Sequence, residues 1–181
     1  IQLRRVVAAL GKYTDHKIVL ITEGRTTSDN TTKNLEIVNV PLESPRLPLF
    51  NIMMDNLVCY RSCLWGNYFI REAKKIADEL ITKHSFDLLI TISHPVDSHV
   101  AGLSIKQKYP DLRWITYFSD LWPLSLLPKP YKRNKLLTII EMRFLKQTLV
   151  QCDGVLTPSP YALTIIKEKV PTQAQIGTVP H

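Results

Sequence analysis

Apolar residues change their spacing several times along this chain, and each change marks an element. Ile1, Leu3, Val6, Val7 and Leu10 recur on one face at helical spacing, and Gly11 supplies a stop. Lys17 to Thr22 (KIVLIT) is short, β-branched and uninterrupted, as a strand buried on both faces reads. Residues 23 to 34 are polar and turn-rich, and Leu35 to Val40 predicts a second strand. Pro41 to Phe50 holds three prolines, which exclude a helix or a sheet interior and predict a surface loop.

From Leu64 to Lys83 the helical period returns. Tyr68, Ile70, Ala73, Ile76, Ala77, Leu80 and Ile81 form an apolar face opposite Arg71, Glu72, Lys74, Lys75 and Glu79. Asp87 to Ser93 predicts another fully buried strand, and Val96 to Lys108 a helix whose Ala101 and Gly102 permit close packing on a sheet. The alternation then repeats. Arg113 to Ser119, Gly154 to Thr157 and Gln175 to Val179 read as strands; Arg133 to Gln151 and Pro160 to Lys169 read as helices.

Strands alternating with helices at this spacing predict an α/β fold with an open, doubly wound parallel sheet, Rossmann-like, and right-handed crossovers. The 181 residues suit a single domain spanning 1–181; a closed eight-fold barrel needs about 250 residues. Because the chain opens on a helix followed by a strand, the second half of a βαβ unit, a first strand is expected upstream of Ile1. No signal-peptide pattern is visible in these residues. With 45% hydrophobic and 22% charged residues, the chain matches neither a disordered segment nor a membrane span.

The net charge of +7 directs attention to anionic partners: a phosphorylated ligand, an anionic membrane surface or nucleic acid. Most of the excess is local. Lys129 to Lys146 carries Lys129, Lys132, Arg133, Lys135, Arg143 and Lys146 against Glu141 alone. Interleaved with Leu136, Ile139, Ile140 and Leu145, these charges read either as a basic amphipathic helix for an anionic membrane surface or as the solvated face of a sheet-packing helix. In the membrane reading Ile139, Ile140 and Leu145 carry the core packing. No nucleic-acid recognition signature is present, so no nucleic-acid partner is expected. Three cysteines, with Cys59 and Cys63 four apart, indicate neither a disulfide framework nor a zinc site and fit a reducing, cytoplasmic compartment.

In open parallel sheets, ligands bind outside the carboxyl ends of the strands. Those ends are Thr22-Glu23-Gly24, Ser93-His94-Pro95, Ser119-Asp120 and Pro158-Ser159. His94 reads as a proton carrier or hydrogen-bond donor at the crevice, or as a loop and cap histidine. Asp120 can bind a hydroxyl or cap a turn, and Trp122 can stack on a sugar or pack its loop. Asp97 as helix N-cap and His99 as a surface residue are preferred to a metal set with His94, so no metal site is predicted. The chain has no G-x-x-x-x-G-K-[ST], G-x-G-x-x-G or G-x-S-x-G, which argues against the usual mononucleotide, dinucleotide and hydrolase sites.

From about residue 86 to 181 the segment order resembles the amino-terminal domain of a family 4 glycosyltransferase of GT-B architecture. The resemblance rests on Ser93-His94-Pro95, Asp120-Leu121-Trp122-Pro123, the Asp153, Val155 and Ser159 pattern, and the closing IGTVPH. It implies one half of a GT-B enzyme, a hexosyltransferase-type protein of polysaccharide biosynthesis. A further carboxy-terminal domain would hold most of the nucleotide-sugar donor. Asp120 and His94 would be catalytic, Ser93, Ser119 and Trp122 would bind a glycan or lipid-linked acceptor, and Ser159 would face the donor crevice. Lys129, Lys132, Arg133 and Lys135 would lie at the membrane surface, with the protein peripheral at its inner, cytoplasmic face. The implied reaction is retaining and metal-independent, uses no cofactor, and is not catalysed by this half alone. The alternative is a non-catalytic subunit that docks a split glycosyltransferase to the membrane.

Overall fold

The computed structural model describes residues 17–23, 34–40, 68–93, 96–119, 135–170 and 172–179. The expected opening helix, the proline-containing loop and residues 64 to 67 lie outside them. The chain divides into two compact units, Ile1–Ser44 and Pro45–His181.

In the first unit, β1 (Ile18–Glu23) runs parallel to β2 (Leu35–Val40), in a register from Ile18 opposite Leu35 to Glu23 opposite Val40. An exposed ion pair, Lys17 to Glu36 at 3.0 Å, flanks the ladder. Val40 is buried, but Ile18 to Thr22 are only half-buried, not enclosed on both faces as their composition predicts. Among the described residues this sheet has two strands, too few to enclose a strand completely.

The second unit runs α1 (Tyr68–Lys83), β3 (Leu88–Ser93), α2 (Asp97–Lys108), β4 (Arg113–Phe118), α3 (Lys135–Gln151), β5 (Gly154–Thr157), α4 (Pro160–Lys169) and β6 (Gln175–Thr178). Its four strands lie in the order β3-β4-β5-β6, all parallel. The fold is therefore α/β, with parallel sheets flanked by helices, and is compatible with a Rossmann-like fold. Each predicted element among the described residues is present, with ends shifted by two residues or fewer where the structure describes them.

Alternation along the strands assigns the core. Trp114, Thr116 and Phe118 of β4 and Val155 and Thr157 of β5 are all buried, and three of them join Leu103 of α2, Phe144, Leu145 and Leu149 of α3 and Ile166 of α4 in one apolar cluster. Removing Leu145 and Leu149 from water stabilises by about 2 kcal/mol each. On the opposite parity, Ile115 and Leu156 lean over glycines. A Cβ on Gly154 would lie 3.2 Å from Ile115 Cγ1, and one on Gly177 would lie 3.2 Å from Leu156 Cδ2.

Three further expectations about burial are corrected. Strand β3 is not fully buried: Leu88 and Ile90 are each 40% exposed, because β3 lies at the edge of this sheet among the described residues. Ile139 does not pack the core; it is 62% exposed, while Leu145 is completely buried and Ile140 half-buried. The register of α3 on the sheet turns Glu141, Leu145 and Thr148 inward instead. His99 is not a surface residue but fully buried, because α2 packs on β3 and β4 and is flanked by α1 and α3.

Candidate functional site

Parallel pairing brings the carboxyl ends of β3, β4, β5 and β6 to one edge. Ser93 lies opposite Phe118, Tyr117 opposite Leu156, and Thr157 opposite Thr178. Ser93 thus ends β3, half-buried Ser119 follows β4, and Pro158 and Ser159 follow β5. Helices α2 and α4 begin at the same edge, so their positive N-terminal ends join three serines there.

The two helix starts are built differently. Ser159 caps α4: its Oγ accepts the Tyr161 N–H at 3.2 Å, its carbonyl accepts the Thr157 hydroxyl at 2.9 Å, and Pro160 opens the helix. At α2 the cap is Val96, which offers no side-chain acceptor; its carbonyl accepts the N–H groups of His99 (2.9 Å) and Val100 (3.2 Å). Asp97 is therefore not the N-cap that its residue type predicts. The αR backbone of Val96 starts the helical path one residue earlier and leaves Asp97 in the first turn, where its carboxylate faces the favourable end of the helix dipole. Ser98 ties this turn to the sheet by donating to the Ile92 carbonyl at 2.6 Å.

Of the residues singled out in the sequence, Ser93, Ser119 and Ser159 are brought to one edge, and Lys135 opens α3 as an exposed cation. His94, Asp120, Trp122, Lys129, Lys132 and Arg133 lie outside the described residues. By connectivity, His94 directly follows Ser93, and Asp120 follows Ser119. Asp153, part of the resemblance, stands at the opposite end, just before β5. Its Oδ2 accepts the Trp114 backbone N–H at 2.8 Å and the Lys106 ammonium at 2.9 Å. Partial burial pushes this carboxyl up, but those two donors and the charges of Lys106 and Arg113 outweigh it and hold its pKa below the ordinary value. Next to it, burial pushes the Cys152 thiol up to about 11, a shift only partly opposed by the Thr116 hydroxyl.

Beneath the edge lies a polar network that motif reading missed. Thr91 Oγ1 accepts the Trp114 Nε1–H at 2.9 Å and lies 2.8 Å from His99 Nδ1, while the His99 ring packs on Phe118 with centroids 4.6 Å apart. Gly102 makes this approach possible, since a Cβ there would stand 2.5 Å from Thr91 Cγ2 and 2.9 Å from Trp114 Nε1. Two sequence signals pointed to it: a threonine inside an aliphatic strand, and a glycine inside a helix. The network holds α2, and with it one helix start, against β3 and β4.

Among the described residues no three His, Cys, Asp or Glu side chains gather where they could hold a metal ion. Nor is any described helix long and apolar enough to cross a membrane. The chain matches no family model, and no curated protein matches its sequence. What the edge offers chemically is the backbone ends of four parallel strands, the Ser159 cap and two helix N-termini, a setting for hydroxyl and phosphate oxygens.

Proposed function

We propose that this chain is the acceptor-side half of a GT-B glycosyltransferase that moves a sugar from a nucleotide-sugar onto a glycan or lipid-linked acceptor. One observation supports this reading above the others. The parallel register aligns Ser93, Ser119 and Ser159 at the ligand-binding edge of the sheet, and these three lie in or beside the segments on which the family 4 resemblance rests.

In this reading Asp120 and His94, continuing from β4 and β3, orient the acceptor hydroxyl together with Ser93 and Ser119. Trp122 flanks the acceptor. Ser159 and the start of α4 face the donor crevice, where backbone N–H groups suit a phosphate. The bond from the anomeric carbon to the leaving phosphate oxygen breaks as the acceptor oxygen bonds to that carbon. The leaving diphosphate takes the acceptor proton. A second domain would hold most of the donor, so the chain alone binds acceptor without turnover, in the cytoplasm at the inner face of the membrane.

The test is amide chemical-shift mapping of the 181-residue chain against a panel of oligosaccharides and lipid-linked glycan headgroups. Saturable shifts centred on Ser93, Ser119 and Ser159 support the reading. No shift with any glycan, shifts confined to the Asp153 end, or nucleotide-sugar turnover by the chain alone would overturn it.

A further inference from the structure

The outward face of α3 is the strongest feature that the sugar-transfer reading does not use. At 3.6 residues per turn, Leu136, Ile139, Arg143, Lys146 and Val150 fall within about 60° of the direction of Arg143 and form one stripe about 20 Å long. Leu136, Ile139 and Val150 are 61%, 62% and 65% exposed, three of the most exposed large aliphatic residues among those described. Arg143 and Lys146 stand between them, also exposed, and Lys135 lies at the helix start. The one acid of the helix, Glu141, is turned inward and fully buried, so the stripe shows only positive charge. The ion pairs among the described residues engage Lys17, Lys106 and Lys108, and none draws on α3.

We infer that this stripe docks the protein on the surface of an anionic phospholipid bilayer. Aliphatic side chains alternating with cations along an exposed helix suit an interface whose outer layer is phosphate and whose next layer is hydrocarbon. Leu136, Ile139 and Val150 enter the acyl boundary; Arg143 and Lys146 remain at the phosphates, and Lys135 adds to them. A second copy of this chain fits less well, since a two-fold arrangement sets cations against cations. Nucleic acid would leave three exposed aliphatic residues without a partner and would favour aromatic stacking groups, which the stripe lacks. The helix lies on the surface and does not span it, consistent with its length and charge. The docking surface lies mainly beyond Lys129 to Lys135, the positions chosen from charge alone.

The test is sedimentation of the 181-residue chain with vesicles of phosphatidylcholine alone and of phosphatidylcholine with 30% phosphatidylglycerol, roughly a cytoplasmic-leaflet charge. The chain should partition to the anionic vesicles, and less so as salt rises. Replacing Arg143→Gln and Lys146→Gln together should weaken partitioning by about thirty-fold, at about fivefold per cation. Ile139→Gln with Val150→Gln should weaken it by at least tenfold at unchanged charge, from lost insertion. These side chains are exposed, so the variants should retain the parent's circular dichroism and melting temperature, and one that does not is replaced by Leu136→Gln. A control pair, Lys75→Gln and Lys167→Gln on α1 and α4, should change binding less than twofold. The inference is overturned if the parent does not bind, if the stripe variants bind as the parent does, or if the control pair loses as much. Self-association that depends on the stripe without vesicle binding assigns the face to a second copy and also overturns it. No acceptor glycan enters the assay, so its failure leaves the sugar-transfer reading standing.

Discussion

Lys106 and Asp153, 47 residues apart in the chain, meet at 2.9 Å and join α2 to the start of β5. The same lysine donates to the carbonyls of Pro110 (2.8 Å) and Leu112 (2.9 Å), so one ammonium closes the turn between α2 and β4 and fixes the strand beyond it. Asp153→Asn keeps the shape but removes the charge, and should destabilise the fold by about 1 kcal/mol. The low figure reflects a carboxylate nearly half exposed.

The same carboxylate predicts a pH dependence. Its pKa is lowered in the folded state, so its contribution is complete above the unfolded value of about 3.9 and is lost as pH falls through the folded value. The stability gap between parent and Asp153→Asn should be constant from pH 7 to about 5. It should shrink below about 4. Denaturant midpoints at pH 7, 5, 4 and 3 check this; a gap that widens on acidification would refute the assignment.

Gly102→Ala sets two effects against each other. Alanine favours a helix by about 1 kcal/mol over glycine. The new Cβ, however, meets Thr91 Cγ2 at 2.5 Å, on a buried and β-branched side chain that is stiff at χ1. Overpacking of this kind costs about 1–3 kcal/mol. A net loss of about 1 kcal/mol is expected, with a changed near-ultraviolet signal from Trp114.

Thr91→Val keeps the volume of Thr91 and removes its oxygen. Trp114 Nε1–H and His99 Nδ1 then lose the atom they share. Two buried polar groups that each lose this partner, at about 1–3 kcal/mol each, predict a total loss of about 2–6 kcal/mol. Thermal melts measure the loss, and a stability within 0.5 kcal/mol of the parent, about the ordinary range for a surface change, would show that the network is not energetically coupled.

Cys152 should resist alkylation. Burial pushes its thiol up to about 11, so almost no thiolate exists at pH 8. Mass mapping after iodoacetamide at pH 8 should find it unlabelled in the folded protein and labelled in denaturant. Rapid labelling under native conditions would show that the site opens.

The contrast between short uninterrupted apolar runs and the 3.6-residue period is enough to read the described elements of this chain, as in Leu88–Ser93 against Tyr68–Lys83. Burial was less legible. Ile139 and Ile140 are neighbours about 100° apart on α3, and nothing local decides which one faces the sheet. His99 is buried against expectation because α2 is covered by the sheet and by two helices, which widens its inward face beyond the single apolar stripe that spacing reveals. At the candidate site, the strand-end rule located Ser93, Ser119 and Ser159, yet it could not foresee that the Ser159 hydroxyl is engaged in capping α4. Asp153 belongs to the motif but precedes β5, so it serves the end of the sheet opposite Ser159, and the motif alone does not say what it binds there.

Among the described residues β3 has no strand on its outer side, which has a practical consequence for handling the protein. Its six residues, LLITIS, include no charge, proline or glycine, and Leu88 and Ile90 stand partly in water. Natural sheets guard such edges with lysine, proline or a bulge. The strand itself carries none of them, so concentrated solutions should lose material to intermolecular strand pairing below the melting temperature, and storage life should depend on concentration more than on heat. A single lysine at position 90, facing solvent on that edge, should lengthen it.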